Sequence, residues 1–193
     1  MEMTHQMSKE AKINSIENLY QSDWLSLDKA HWEKSNGSKF GWEYVKRNQC
    51  SNIVMIIPIM KHNGKHVLVR QFRPPVGRYT LEFPAGLVDI GENIETAAKR
   101  ELLEETGYRG KIISRLPDRA VSAGLCSEII TVFHIQIDEN EDANLHPKQN
   151  LDESEELEVI LASKDALREL VYENKSTDLI DVKLSLYCSG LFI

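Results

Sequence analysis

Five glutamates crowd the stretch GLVDIGENIETAAKRELLEETGY, Gly86 to Tyr108: Glu92, Glu95, Glu101, Glu104 and Glu105. Like charges repel, and a solvated helix normally interleaves them with lysines. The pattern reads as a helix from about Ile94 to Thr106 with Gly107 at its C-cap. At about 100° per residue, with Arg100 at zero, Glu104 falls near 40°, Glu101 near 100° and Glu105 near 140°. Ala97 (about 60°), Ile94 (about 120°) and Ala98 (about 160°) lie on the same side. The acids therefore continue an apolar stripe where a solvated face would oppose it. Partly desolvated carboxylates without partners cost several kcal/mol each or take up protons. A divalent cation removes the conflict, and hard oxygen donors at this density suit Mg²⁺, with Mn²⁺ as the alternative. Such ions commonly hold substrate phosphates as well.

The spacing resembles the Nudix box, Gly-x5-Glu-x7-Arg-Glu-U-x-Glu-Glu-x-Gly-U with U a bulky aliphatic. Its positions here are Gly86, Glu92, Arg100, Glu101, Leu102, Glu104, Glu105, Gly107 and Tyr108, and only the aromatic Tyr108 departs. Seven fixed letters at roughly 6% each recur by chance about once in a few hundred million windows. The resemblance implies metal-dependent hydrolysis of a nucleoside diphosphate linked to a further group. It implies that Glu101, Glu104, Glu105 and the carbonyl of Ala85 hold the metal, with Glu101 and Glu105 counted among the catalytic residues. Arg100 is expected to orient a box carboxylate, and Gly86 and Gly91 to let the backbone turn tightly near a ligand.

The flanks narrow the resemblance. QFRPPVGRYTLEFPAGLVDIGE (Gln71–Glu92) is similar to the ADP-ribose pyrophosphatase branch, particularly its animal ADP-sugar members; WEYVKR (Trp42–Arg47) and Trp24 extend the likeness. That branch implies an adenine held between two tryptophans, often one from each subunit of a homodimer, and Trp24 and Trp42 stand at the matching positions. Stacking on an indole contributes roughly 1–3 kcal/mol and needs no hydrogen bonds. Taken alone, both residues read more readily as packing groups, as Trp32 does, and the flanking match is what favours the clamp. Glu43, Arg47, Leu87 and Ser122 match further substrate-binding positions. Arg73 matches an arginine set against phosphate, where a planar fork suits a diphosphate; Arg70 and Arg78 are weaker candidates. A glutamate before a late strand serves the branch as general base. In LDESEELEVI, alignment on the EVI ending favours Glu155, with Glu156 and Glu153 behind it and a solvated acidic loop as the plain alternative. In SAGLCSE (Ser122–Glu128), Ala123 replaces the proline of the family's loop. A neutral Ser122 replaces an aspartate that touches the distal ribose in some relatives.

The elements that must position these groups follow from the apolar pattern. Strands are expected at Ser38–Arg47, Ile53–Met60, His66–Phe72, Thr80–Phe83, Lys111–Arg115, Ile129–Ile137 and Leu157–Leu161, with a hairpin turn at KHNGK. Helices are expected at Ala162–Glu173 and Asp178–Leu191, and residues 1–18 as frayed or partly helical chain. This order is not regular βαβ alternation, so the expected class is α/β with a mixed sheet and helices packed on it. With the resemblance, that becomes a Nudix-type α/β/α sandwich over residues 51–193. The resemblance also implies a small N-terminal β module over residues 1–50 that serves dimerisation and the adenine clamp.

The 193 residues carry a net charge of −7, which argues against a nucleic-acid coat or a binder of anionic membrane. The expected partners, an ADP-ribose-type substrate and a second copy of the chain, are what the resemblance implies. Cys50, Cys126 and Cys188 are too scattered for a disulfide framework or a zinc site and suit reduced thiols in the cytoplasm, with the nucleus as a second compartment. The scattered histidines read as structural. No signal peptide or apolar span long enough for a bilayer is visible. Rival readings are a hydrolase of oxidised guanine nucleoside diphosphates or of ADP-hexoses, and a non-catalytic ADP-ribose sensor.

Overall fold

The computed structural model describes residues 10–153, 155–173 and 176–190. They divide into two compact units, one comprising the chain up to Cys50 together with Arg119–Ile129, the other Ser51–Asp118 with the chain from Ile130 onward.

The first unit contains a three-stranded antiparallel sheet of β1 (Lys12–Gln21), β2 (Leu25–Glu33) and β3 (Lys39–Arg47), in the order β1-β2-β3. β1 is a strand where frayed or helical chain is expected. Its apolar residues, Ile13, Ile16, Leu19 and Tyr20, do not alternate with polar ones, because two register shifts against β2, between Ile13 and Ser15 and between Asn18 and Tyr20, break the period-2 signal. The first nine residues of that expectation lie outside the described ones. Segment 119–129 begins with the short strand β9 (Arg119–Ala120) and lies along β3: Val45 N–H donates to Leu125 O, and Ser127 N–H to Val45 O.

The second unit is built on β4 (Cys50–Met60), β5 (His66–Arg73), β6 (Arg78–Glu82), β7 (Ala85–Asp89), β8 (Lys111–Arg115), β10 (Ile129–Ile137), β11 (Leu157–Ala162) and β12 (Leu179–Ile180). The sheet order is β12-β6-β5-β4-β10-β8, with β11 on β5 and β7 on β4. It is mixed: β10 runs parallel to β4 and β12 to β6, whereas β5 is antiparallel to β6 and β11. Helix α1 (Ile94–Thr106) covers one face, and α2 (Lys164–Glu173) and α3 (Val182–Cys188) the other. The strands alternate between two cores. Val54, Ile56, Phe133 and Ile135 pack with Ala97, Ala98 and Leu102 of α1. Met55, Ile57, Val132 and Leu68 pack with Leu167, Leu184 and Tyr187. Burial on both faces explains why IVMIIPIM is apolar throughout instead of alternating. The sandwich class read from the sequence is the one observed. The expected final helix is instead β12 followed by a shorter helix, because Asp181 caps α3 by accepting from Lys183 N; Leu191, which that helix would have reached, lies outside the described residues. Tyr108, the departure from the aliphatic position, is buried in the α1-side core.

Candidate active site

Helix α1 starts where its sequence dictates. The Asn93 side chain accepts from Glu95 N and Thr96 N, filling two of the free donors of the first turn. Its buried residues are Ala97, Ala98, Glu101, Leu102, Glu105 and Thr106, so two carboxylates share the core-facing side with the alanines. Glu101 is only 9% exposed and Glu105 only 4%.

Arg100 organises the acids around it. Its Nε and Nη2 grip Glu92 at 3.0 and 2.9 Å, Nη1 reaches Glu101 at 2.8 Å and Glu104 at 3.0 Å, and Nη2 also donates to the carbonyl of Leu87 at 3.0 Å. Hydrogen bonding from Arg100 holds the Glu92 carboxyl below its ordinary value. Glu105 stands apart: among the described residues its carboxylate accepts from Ala85 N–H at 3.2 Å and makes no ion pair. Burial, then the charges of Glu101 and Glu155, push its carboxyl well above the ordinary range. Burial likewise lifts Glu101 to about 7, against the partial relief of Arg100. Glu155, half-buried ahead of β11, thus reaches both carboxylates electrostatically, while its own oxygen accepts from Asp152 N at 3.3 Å.

This donor set fits a hard divalent cation. Two buried carboxylates, one of them without a cationic partner, and the more accessible Glu104 supply oxygen at high density. The same geometry fixes the sign of the pH dependence without metal. Glu101 has a folded-state value raised from 4.5 to about 7, so its contribution to stability is fully present below pH 4.5 and is lost as pH climbs through 7. The loss from Glu101 is about 3 kcal/mol at its upper limit, and Glu105 adds in the same direction. Chelator-treated protein is expected to melt at lower temperature at about pH 8 than at about pH 5, and Mg²⁺ to raise the melting temperature more at the higher pH. Equal Mg²⁺ stabilisation at both pH values would remove the buried carboxylates from the account.

Gly86 has a different task from the expected tight turn. It lies within β7, and a Cβ built on it would overlap the carboxylate of Glu101. The bare Cα lets the acid pack flat against the strand, while Gly91, at φ 87°, does the turning. Gly86→Ala is expected to displace Glu101 and to cost about 1–3 kcal/mol by overpacking, together with a large loss of turnover. Wild-type turnover and melting temperature in that variant would show that Glu101 has room to spare.

The NUDIX domain model matches residues 52–179, which hold the whole acid helix and its flanks. The chain belongs to the Nudix family. Among similar Nudix proteins, an uncharacterised Nudix hydrolase of Schizosaccharomyces pombe is 36% identical over 189 residues, covering 93% of this chain and 92% of that one. The ADP-sugar pyrophosphatase of Mus musculus is 32% identical over 186 residues, covering 93% and 85%. The crystal structure of an ADP compounds hydrolase superposes with a TM-score of 0.73 at 22% identity, covering 97% of this chain and 96% of that one, a likeness of fold. The Nudix box of this chain is therefore the helix and strand just described.

The other candidates fall in two groups, one in each unit. In the Nudix unit, Leu87 gives its carbonyl to Arg100, and Ala85 its N–H to Glu105. Arg73 is not free: its Nε and Nη2 form a fork on Glu82 at 2.7 and 2.9 Å, and Thr80 bonds the same carboxylate. Hydrogen bonding to Glu82 strengthens the Arg73 proton against desolvation, with the charge of Glu105 adding to it. Burial would raise Glu82, but Arg73 and Thr80 outweigh it and hold the carboxyl low. Arg70 pairs with Asp178 at 2.7 Å and lies over the Tyr79 ring, and Arg78 donates to Thr177 O, so both tie down the chain ahead of β12. In the first unit, Trp24 is 70% exposed and Trp42 50% exposed. The Trp42 indole N–H donates to Gly124 O at 3.1 Å. Trp32 packs against Phe40, as expected of it. Arg47 holds Glu128 at 2.5 Å, Glu43 pairs with Lys29 at 3.7 Å, and the Ser122 carbonyl accepts from Leu125 N and Cys126 N.

Sequence reasoning missed Glu82, Glu128 and Gln149. Glu82 carried a usable signal, an acid between Leu81 and Phe83 in a strand whose neighbours are buried. Gln149, whose partners are backbone carbonyls, carried none.

Proposed function

We propose that the chain hydrolyses the diphosphate of ADP-ribose, and of related ADP-sugars, to AMP and the sugar phosphate. For ADP-ribose, one water is consumed, and AMP and ribose 5-phosphate are released. The observation that carries this reading is the buried Glu101–Glu105 pair, two acids whose repulsion a cation shared with a diphosphate would relieve. The substrate class is supported by the relatives named for ADP-sugars and ADP-ribose, among them the Mus musculus protein and the ADP-ribose pyrophosphatase of Saccharomyces cerevisiae, 37% identical over 143 residues.

Glu101, Glu104, Glu105 and the Ala85 carbonyl would hold Mg²⁺, or Mn²⁺ in its place. When bound, the metal supplies charge to the diphosphate oxygens and makes water more acidic. The Arg73 fork is spent on Glu82, so the Nη1 edge is what remains to meet a phosphate oxygen. Arg100 keeps Glu101 and Glu104 in place for the cation. Glu155 takes the proton from the attacking water, and its electrostatic reach to Glu101 and Glu105 suits that role. Trp24 and Trp42 offer exposed indole faces to adenine, with Glu43, Arg47 and Ser122 as the further substrate-binding candidates of the same unit and Leu87 as a candidate of the Nudix unit. The Trp42 N–H is spent on Gly124, so stacking is what remains for the base.

We further propose a homodimer formed through the N-terminal module. Position 24 adjoins the Leu25–Arg47 end of the β2–β3 ladder, whereas Trp42 pairs with Ala30. About six residues at about 3.3 Å, roughly 20 Å of backbone, separate position 24 from position 30, the partner of Trp42 across the ladder. A base sandwich then calls for a second copy. Exposed Ile13, Ile16 and Tyr20 on β1 offer the apolar surface. Three unpaired cysteines suit the cytoplasm, and the nucleus as a second site.

The test is a panel of ADP-ribose, ADP-glucose and 8-oxo-dGDP with Mg²⁺ and product analysis in ¹⁸O water. The highest kcat/KM is expected for ADP-ribose, with AMP and ribose 5-phosphate as products. A preference for 8-oxo-dGDP would reassign the substrate; ADP-ribose binding with no AMP released would make the chain a sensor.

A further inference from the structure

The chain between Pro147 and Asn150 makes an unusual set of bonds with the end of the acid helix. A helix leaves its last four carbonyls without helical partners, and α1 has no basic residue in its last turn to serve them. Asn150 N–H donates to Glu104 O at 2.9 Å. The Gln149 side-chain amide donates to Glu105 O at 2.6 Å, and the same nitrogen donates to Leu157 O at 3.2 Å. At Gly107 a Cβ would run into the backbone of Pro147 and Lys148, 2.8 Å from the carbonyl carbon of Pro147, so the segment lies directly on the helix C-cap.

One amide nitrogen thus joins two backbone positions of different function. Glu105 O belongs to a residue assigned to the cation. Leu157 O opens β11, two residues after Glu155. Both N–H groups of the amide are engaged, and their acceptors lie in main chain, so the link fixes backbone against backbone and leaves the carboxylates free. Loss of the link frees the root of the segment carrying Glu155 without removing any group that meets the substrate.

We propose that Gln149 is a positioning residue for the reaction: its amide holds the general-base segment in register with the metal-binding helix. This rests on the reading of Glu155 as the base. A base contributes typically 10²–10⁴-fold, and a misplacement on the order of 1 Å can remove about 10² of that.

The test compares Gln149→Met, which keeps length and loses both donors, with Gln149→Lys, whose ammonium donates to both carbonyls. In the full chain with Mg²⁺ and ADP-ribose, Gln149→Met is expected to lower kcat roughly 10–100-fold with KM within about twofold. Gln149→Lys is expected to keep most of the turnover. In a Glu155→Gln background, Gln149→Met should add little further loss, because the group it positions is already gone. A full and independent loss in that background, or a rise in KM alone, overturns the proposal, as does unchanged kcat in Gln149→Met. If Glu155→Gln itself turns over normally, the base assignment falls and takes this proposal with it, whereas a slow Glu155→Gln beside additive losses sinks the Gln149 link alone.

Discussion

Glu105→Gln is expected to lower kcat for ADP-ribose by roughly 10³-fold while raising the melting temperature of the metal-free protein. The two effects have opposite signs for one reason. The carboxylate is almost wholly buried, accepts one backbone N–H, and lies within reach of the charges of Glu101 and Glu155. An amide keeps an acceptor for Ala85 N–H and removes the charge, so the folded state without metal is relieved. The cation then loses an anionic donor, and several kcal/mol of transition-state stabilisation correspond to about three powers of ten. Steady-state kinetics and calorimetry at about pH 8, with chelator and then with Mg²⁺, read both effects. Turnover within about threefold of the parent would remove Glu105 from the metal assignment. A drop in metal-free stability would mark it as a structural hydrogen-bonding group.

Arg100→Ala should produce the largest loss of stability. It removes five hydrogen bonds at once and leaves Glu92, Glu101, Glu104 and the Leu87 carbonyl facing one another. Breaking a buried pair from one side costs about 3–5 kcal/mol. The lower figure, about 3 kcal/mol, is expected because the Arg100 side chain keeps 30% of its surface accessible. Arg100→Lys should recover little, since a point charge cannot span the fork on Glu92 and still reach Glu101, Glu104 and Leu87 O. Urea unfolding with chelator measures the loss, and added Mg²⁺ should restore part of it. A change below about 0.5 kcal/mol would place the ion network among surface pairs of little consequence.

The acid helix was legible to its ends. Its start follows from Asn93 and its stop from Gly107, both local choices, and the apolar stripe at 3.6-residue spacing fixes which side is buried. The central strands were legible because a continuous β-branched run has few other ways to be satisfied. β1 was not, because bulges shift its alternation and its apolar residues stay exposed. The division at Arg119–Ile129 was not either, because a short segment that joins another unit's strands leaves no mark on local composition.

By itself, the sequence determined the family, the acid cluster and the two-faced burial of the sheet, since each depends on residue types at fixed short spacings. Only the tertiary structure decided that Glu101 needs a bare Cα at Gly86, that Arg73 is already held by Glu82, and that Gln149 ties the end of α1 to the start of β11. Those facts depend on contacts between positions far apart in the chain, and on backbone carbonyls that every residue carries alike, so no spacing of side chains announces them.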